Sequence, residues 1–354
     1  MRVAVKWDEA VVDADGRVAG HQSGDTLVRR ILRIFPNSIL VGPAVRRGDG
    51  FDMMPLEFLD PESTVVINMD VIDSPRVWQK MYRPGGAEPK IMNFFWRPPA
   101  RVQSAVGVPL MALSCAVFPT FANSERTASE VRELVAKWTV PSVSNRAKLG
   151  WVNLGFRLAH VQPRVEPDVP VVLYPAIYLS AAKRPELFGE VVEAVHTQAP
   201  MRVEMRLHES HLVSEKAMGF SRKDWIWVGP LTASRDSYWE ALARTTAFLA
   251  TAREESYGIA YVEALGAGAI GIFPDLEWAR ALVPQGYPFF YRDANEAKQM
   301  LLRAVTDTEA CREEMEACVE GTLSDWIARH HSDDAFDSAL VSHVTNWFGP
   351  VTHS

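Results

Sequence analysis

Apolar positions along this chain fall into two alternating periods. Val3, Val5 and Trp7 are separated by polar or small residues, the period-two pattern of a strand, and Asp15-Gly16 marks a turn after them. Val28, Ile31, Leu32 and Phe35 then fall at i, i+3, i+4 and i+7, which predicts a helix starting near Ser23 to Asp25 and stopping at Pro36. Short apolar runs at 38–44, 63–70 and 90–96 predict three further strands, the last ending at Arg97-Pro98-Pro99. ALSCAVF, at 112–118, predicts a fifth. Val131, Leu134, Val135 and Trp138 form a second helical stripe, with Ser124 and Thr127 available as caps. VPSVSN (140–145) reads as extended, and WVNLGFR (151–157) closes this half.

QPRVEPDVP (162–170) carries three prolines and two acids with no large apolar cluster, the composition of an interdomain linker. Beyond it the alternation restarts. VVLYPAIYL predicts a strand, and a helix from Pro185 carries Leu187, Val191, Ala194 and Val195. MRVEMRLH (201–208) and WIWVGPL (225–231) predict strands, and 237–251 combines a helix with the strand AFLAT. A helix, the strand AIGIF, the strand PFFY (288–291) and a helix over 294–305 follow. Strands alternating with helices on both sides of the linker predict an α/β chain of two doubly wound halves with parallel sheets. The expected division is an N-terminal domain over 1–162, a C-terminal domain over 163–332 and a terminal region over 333–354. That last region is a helix with Phe336, Leu340, Val344 and Phe348 on one stripe, free to return to the N-terminal domain.

The 354 residues suit two domains of about 100–200 residues each. Hydrophobic residues at 47% and charged residues at 23% supply two ordinary cores. A net charge of −7 argues against a general electrostatic grip on nucleic acid or an anionic membrane. Arg29, Arg30 and Arg33, beside Arg46 and Arg47, read first as a solvated helix face, with an anionic acceptor such as lipid phosphate or nucleic acid as the alternative. Cys115, Cys311 and Cys318 are too few and too irregularly spaced for a disulfide framework or a zinc site, and read as packing residues. MRVAVKWDEA opens like a strand and not like a signal peptide. The longest weakly polar run, VPLMALSCAVF, falls short of the ~20 residues a membrane span needs. A cytoplasmic protein is expected, with a peripheral position at the membrane left open.

Chemistry concentrates in EESYGIAYVEALGAGAIGIFP, 254–274. A strand ends near Thr251, a loop spans 252–257, and a helix starts near Gly258, the strand-to-helix geometry in which parallel sheets bind ligands. Free N–H groups at such a helix start favour an anion, and glycine lets a phosphate approach the backbone. Glu255 before the helix and Glu263 in its second turn would repel phosphate, so they suit sugar hydroxyls. The plainer alternative is that Glu255 favours the helix dipole and Glu263 is solvated. Gly266, Gly268 and Gly271 read as close packing.

Glu255-Ser-Tyr-Gly258-Ile-Ala-Tyr-Val-Glu263, followed by Gly268 and a strand, resembles the E-x7-E signature of retaining GT-B glycosyltransferases. That group includes glycogen and sucrose synthases and many bacterial wall and lipopolysaccharide enzymes. The resemblance is clear over 225–305 and extends back to 170. In the N-terminal half it rests mainly on FANSERTASEVREL. It implies two Rossmann-like domains facing a cleft, with a C-terminal helix. The implied reaction moves a sugar from a nucleoside-diphosphate sugar to an acceptor with retention of configuration. By the resemblance Glu255 holds sugar hydroxyls, Glu263 binds the ribose diol, and Gly258, Ile259 and Ala260 offer N–H groups to the diphosphate. Lys183 matches the lysine of the family's Arg-x4-Lys pair, whereas Tyr178 stands where the arginine is expected. Arg184 is the candidate replacement. Gly24 is the candidate glycine for the donor phosphates from the first domain, with Gly20 as fallback. His21, Asp70 and Arg97 are candidates for the acceptor side.

The resemblance implies no cofactor and no required metal, and His208-Glu-Ser-His211 lacks the spacing of a zinc helix. Tyr178 keeps a sugar-nucleotide-binding protein without transfer activity in view, and the same architecture would also suit a nucleotide-sugar epimerase. The acceptor stays open among carbohydrate, lipid-linked and small-molecule classes, with nucleic acid not excluded.

Overall fold

The structure, a computed structural model, describes residues 1–20, 23–97, 99, 102, 104–231, 235–255 and 257–352. The chain forms two compact units, Met1–Asn153 with Phe336–Ser354, and Leu154–Ala335.

In the first unit the strands are β1 (Arg2–Lys6), β2 (Ile39–Val41), β3 (Arg46–Arg47), β4 (Asp52–Met54), β5 (Thr64–Asn68), β6 (Lys90–Phe95), β7 (Thr120–Ala122) and β8 (Leu149–Trp151). They form one sheet in the order β3-β4-β2-β1-β5-β6-β7-β8, parallel except for the β3/β4 pair. The chain winds outward from β1 through β2, then returns to build on its other side from β5. Every residue of β5 is buried, as expected of a parallel strand with helices on both faces. The predicted first helix spans Ser23–Ile34 and buries Val28 and Ile31 completely. The second spans Glu125–Trp138, and Ser124 caps it by accepting the Thr127 N–H at 3.1 Å. The terminal helix, Asp333–Phe348, brings Phe336 edge-on to Phe94 and Phe121, both at 6.1 Å.

Two expectations fail in this unit. The run read as a fifth strand at 112–118 lies in a helix, Gly107–Val117, and the strand comes after it at Thr120–Ala122. This helix buries Met111, Ala112 and Cys115 yet also carries Leu110, Leu113 and Val117 on its exposed side, so no polar face marks its period. VPSVSN is not extended: Pro141–Ser144 is a single helical turn, with proline at its first position, where no N–H is needed.

The second unit holds β9 (Val171–Tyr174), β10 (Arg202–Leu207), β11 (Ile226–Pro230), β12 (Ala247–Leu249), β13 (Ile270–Pro274) and β14 (Phe290–Tyr291). Their order is β11-β10-β9-β12-β13-β14, parallel throughout. The helix Pro185–His196 packs Phe188, Val191, Val192 and Val195 into the core, and Ala294–Thr306 adds Ala297, Leu301 and Ala304.

The proline-bearing stretch 162–170 is not a free linker. Val165 N–H donates to the Ala243 carbonyl at 3.0 Å, and Arg164 donates to the Thr245 carbonyl at 2.8 Å. Both bonds anchor it to the second unit. The chain instead leaves the first unit after Asn153. Phe156 N–H then bonds the His331 carbonyl at 2.9 Å, and Asp333 N–H returns a bond to the Phe156 carbonyl at 3.0 Å. The outgoing and returning segments thus lie side by side. Among the described residues no helix is long and apolar enough to cross a membrane.

Candidate functional site

In an open parallel sheet the ligand crevice opens beyond the carboxyl ends of strands at the point where the winding reverses. In the second unit that point lies between β9 and β12, paired through Val172–Ala247 and Leu173–Phe248. The loop after β9 carries Tyr178, Lys183 and Arg184. The loop after β12 carries Glu255 and leads into the helix Ile259–Gly266.

The two loops are stitched together. Thr251 Oγ1 donates to the Lys183 carbonyl at 2.6 Å, and Arg253 N–H donates to the Ala182 carbonyl at 2.9 Å. Lys183 Nζ bonds Glu255 Oε1, and the Tyr261 hydroxyl donates to the same oxygen at 2.8 Å. Burial, then the Glu255 carboxylate, raises the Tyr261 phenol well above its ordinary range, so Tyr261 remains a donor. Glu255 is thereby fixed between a cation and a hydroxyl.

Arg184 adopts a left-handed backbone, φ 50°, directly before Pro185 and the helix it opens. For a residue with a Cβ this conformation costs roughly 1–2 kcal/mol. Such strain gathers at functional sites. The positive charge of Arg184 also reaches the Tyr291 phenol, whose hydroxyl donates to the Ala250 carbonyl at 2.8 Å.

Gly258 caps the helix Ile259–Gly266 with φ 84°, and a Cβ there would stand 2.6 Å from the Tyr261 ring. Among the described residues the N–H groups of Gly258, Ile259 and Ala260 have no acceptor, as the first turn of a helix dictates. Glu263 is 4% exposed and accepts a 2.8 Å bond from the Tyr238 hydroxyl. Gly266 and Gly271 are packing positions, since a Cβ would lie 2.5 Å from Phe156 and 2.6 Å from Phe248 respectively. Gly268 differs, with φ 82° and nothing nearer than Arg164 at 3.4 Å, so it serves the turn.

Several residues that sequence reasoning missed belong here. Tyr261 and Tyr238 hold the two acids. His208 and His211, dismissed as zinc ligands, lie with their ring centroids 5.4 and 5.3 Å from that of Tyr178, and His211 Nδ1 accepts the Leu179 N–H at 3.3 Å. Their position after β10, at another strand's carboxyl end, was the available signal.

Behind the loop, the Tyr257 hydroxyl and His331 Nδ1 lie 2.6 Å apart, both buried. Burial depresses the His331 pKa to about 3, so the ring is neutral in the fold but titrates near 6.5 when unfolded. A depressed folded pKa gives stability that is complete above 6.5 and declines as pH falls from there toward 3. At about 1.4 kcal/mol per pH unit, roughly 2 kcal/mol is lost by pH 5. Denaturant unfolding of wild type and His331→Gln at pH 7 and pH 5 checks this, and the variant is expected to lose markedly less stability on acidification.

The first unit places its candidates differently. His21 lies outside the described residues. Gly24 is buried, and a Cβ there would lie 2.8 Å from the Trp7 indole; at Gly20 it would lie 2.3 Å from Asp25. Asp70 Oδ2 accepts from Lys6 Nζ and from Asp8 N–H, each at 3.0 Å. Lys6 also pairs with Asp8 at 2.9 Å and Asp73 at 3.1 Å. Burial alone would lower the Lys6 pKa, but Asp8 and Asp70 outweigh it and the net shift is upward. Arg97 stacks its guanidinium over Trp7 and Trp96, 4.7 and 4.4 Å from the ring centroids.

The arginines of the first helix have internal partners, while Arg46 and Arg47 are exposed. Arg29 donates to the Val18 and Gly20 carbonyls at 2.9 and 2.8 Å, and Arg30 and Arg33 bond Asp337 at 2.9 and 3.1 Å. Arg46 donates to the Val12 carbonyl at 2.9 Å.

No protein-family model matches the chain, and no curated protein matches it. Solved structures do. The sucrose-phosphate synthase of Thermosynechococcus elongatus superposes with a TM-score of 0.68 at 10% identity, over 98% of this chain and 99% of that one. A UDP-forming alpha,alpha-trehalose-phosphate synthase from Burkholderia xenovorans gives 0.67 at 9% identity, over 98% and 99%. Anabaena HepE, solved with UDP and glucose, gives 0.64 at 11% identity, over 98% and 99%. At these identities the likeness establishes the fold, two Rossmann-like parallel-sheet units of the GT-B type.

Proposed function

With the GT-B fold as premise, we propose that the protein is a glycosyltransferase that moves a sugar from a nucleoside-diphosphate sugar to an acceptor hydroxyl with retention of configuration. The observation that carries this reading is the cluster at the β9/β12 reversal. There Lys183, Glu255 and Tyr261 form one hydrogen-bonded group beside the open N–H groups of Gly258, Ile259 and Ala260.

In the reaction the anomeric carbon–oxygen bond breaks and its electron pair leaves on the diphosphate. The acceptor oxygen bonds the anomeric carbon, and its proton passes to the departing phosphate oxygen. Negative charge grows on the diphosphate as the sugar becomes cationic. Lys183, Arg184 and the helix-start N–H groups meet that negative charge, a fixed arrangement that needs no reorganisation and calls for no metal. Glu255 accepts the sugar hydroxyls. Glu263, buried beside Tyr238, receives the ribose. Tyr178 cannot supply the bidentate charge of an arginine, so the second cation in this reading is the strained Arg184.

The HepE structure, with UDP and glucose, makes UDP the first nucleotide to try. Incubation of UDP-, GDP-, ADP- and TDP-sugars with a panel of carbohydrate, lipid-linked and small-molecule acceptors, followed by NMR of the product's anomeric proton, tests the reading. Release of one nucleoside diphosphate with an anomer matching the donor is expected. An isomerised donor, or binding without release from any of the four, contradicts it.

A further inference from the structure

MRVEMRLH alternates at period two, whereas a parallel strand covered on both faces reads as a continuous apolar run. In β10 Val203, Met205 and Leu207 are buried, and Arg202, Glu204 and Arg206 lie on the opposite face. Register sets Glu204 beside Trp227 of β11 and Arg206 beside Gly229 on that face. The helix Arg235–Arg244 forms a wall along it. Trp239, Leu242 and Ala243 of this helix are buried, while Ser237, Glu240, Ala241 and Arg244, at i, i+3, i+4 and i+7, line the groove. Residues 165–169 complete the lining. The cavity is about 750 Å³, within the ~300–1,000 Å³ of pockets that enclose small ligands. Lys183, Glu255, Gly258 and Tyr261 do not line it, so it is separate from the strand-end cluster.

Trp227 forms the floor. A Cβ at Gly229 would stand 2.2 Å from its ring, so the glycine lets the indole lie down over the strand. Arg206, held by Glu204, lies 5.2 Å from the ring centroid. With both neighbours in place Trp227 still has 47% of its surface exposed, which leaves a platform for a ligand.

The charges around this platform decide the ligand class. Glu166 is taken by Arg164 and Arg312, and Glu204 by Arg206. Arg202, Arg244, Asp168 and Glu240 have no partner among the described residues. Both signs stand together at each place: Arg202 is in register with Val171, three positions after Asp168, and Arg244 follows Glu240 by one helical turn. The groove therefore has no pole for an ion. A phosphate meets carboxylates, a cation meets guanidiniums, and a zwitterion finds no separated ends. An apolar ligand would strip water from all four charges. A neutral polyol suits them, because guanidiniums donate to hydroxyl oxygens, carboxylates accept from hydroxyls, and the C–H face of a sugar ring lies on an indole. We propose that this groove binds a neutral saccharide chain. Its role, which rests on the glycosyltransferase reading, is to retain a glycan acceptor between turnovers.

The test titrates maltopentaose, cellopentaose, laminaripentaose and chitopentaose into the full chain by calorimetry, with UDP, AMP and inorganic phosphate in parallel. Saturable binding of at least one pentasaccharide is expected, unchanged by added salt. Trp227→Ala is expected to weaken it at least about ten-fold. Arg244→Ala, at the exposed helix end, is expected to weaken it about five-fold. Both variants should bind UDP as wild type does, which also certifies their fold. Failure of all four pentasaccharides to bind overturns the proposal, whether or not UDP binds. So does pentasaccharide binding that Trp227→Ala leaves intact, or Trp227-dependent binding of AMP or phosphate in place of a saccharide. Trp227-dependent pentasaccharide binding without UDP binding supports the groove and defeats the donor reading instead.

Discussion

Replacing Lys183 with alanine is expected to slow turnover of the nucleoside-diphosphate sugar by about 100- to 1,000-fold, the usual cost of removing one group that stabilises developing negative charge. Two features of this chain place the effect at the upper end. Tyr178 supplies no charge where a second cation is expected, so little compensates for the loss. Lys183 also pairs with Glu255, and its removal leaves that half-buried carboxylate held by Tyr261 beside the diphosphate it would repel. Lys183→Ala should therefore lower kcat and raise KM for the donor. Arg184→Ala should have a smaller effect of the same kind. Steady-state kinetics of both variants, with circular dichroism as a check on folding, separate these outcomes. An unchanged kcat/KM in Lys183→Ala would remove Lys183 from the site.

The second large effect concerns stability. At Gly155 a Cβ would lie 2.2 Å from both the carbonyl carbon and the oxygen of Ser332, closer than atoms can approach. The obstacle is backbone, and it is pinned by the Phe156–His331 and Asp333–Phe156 bonds on either side. No side chain can swing away, so the paired segments must separate. Gly155→Ala is expected to cost roughly 3 kcal/mol or more. For a unit of this size that lowers the unfolding midpoint by about 6–12 °C. The strain should also reach the site, because His331 contacts Tyr257, two residues beyond Glu255. Scanning calorimetry checks the first effect, and hydrogen exchange over 252–262 the second. A melting point within 2 °C of wild type, on the order of a neutral surface change, contradicts the packing.

Much of this molecule is legible in its sequence because parallel strands and amphipathic helices advertise themselves. Val3 to Trp7 and Val28 to Phe35 carry their periods openly. The failures have physical causes. Gly107–Val117 is a helix with apolar residues on both its packed and its open side, so its period vanishes and its length is the only clue. Residues 162–170 have a linker's composition, but Arg164 reaches carbonyls more than eighty positions away, which no local pattern discloses. Tyr238 and His331 escape for the same reason, since their partners Glu263 and Tyr257 are distant in sequence.

The central claim is that a diphosphate settles on the N–H groups of Gly258, Ile259 and Ala260 beside Lys183. Hydrogen exchange resolved to short peptides, with and without a UDP-sugar at saturating concentration, tests it most directly. The account predicts strong protection in peptides covering 255–262 and 178–185, and loss of that protection in Lys183→Ala. Saturable binding that leaves 255–262 exchanging as in the free protein would contradict it.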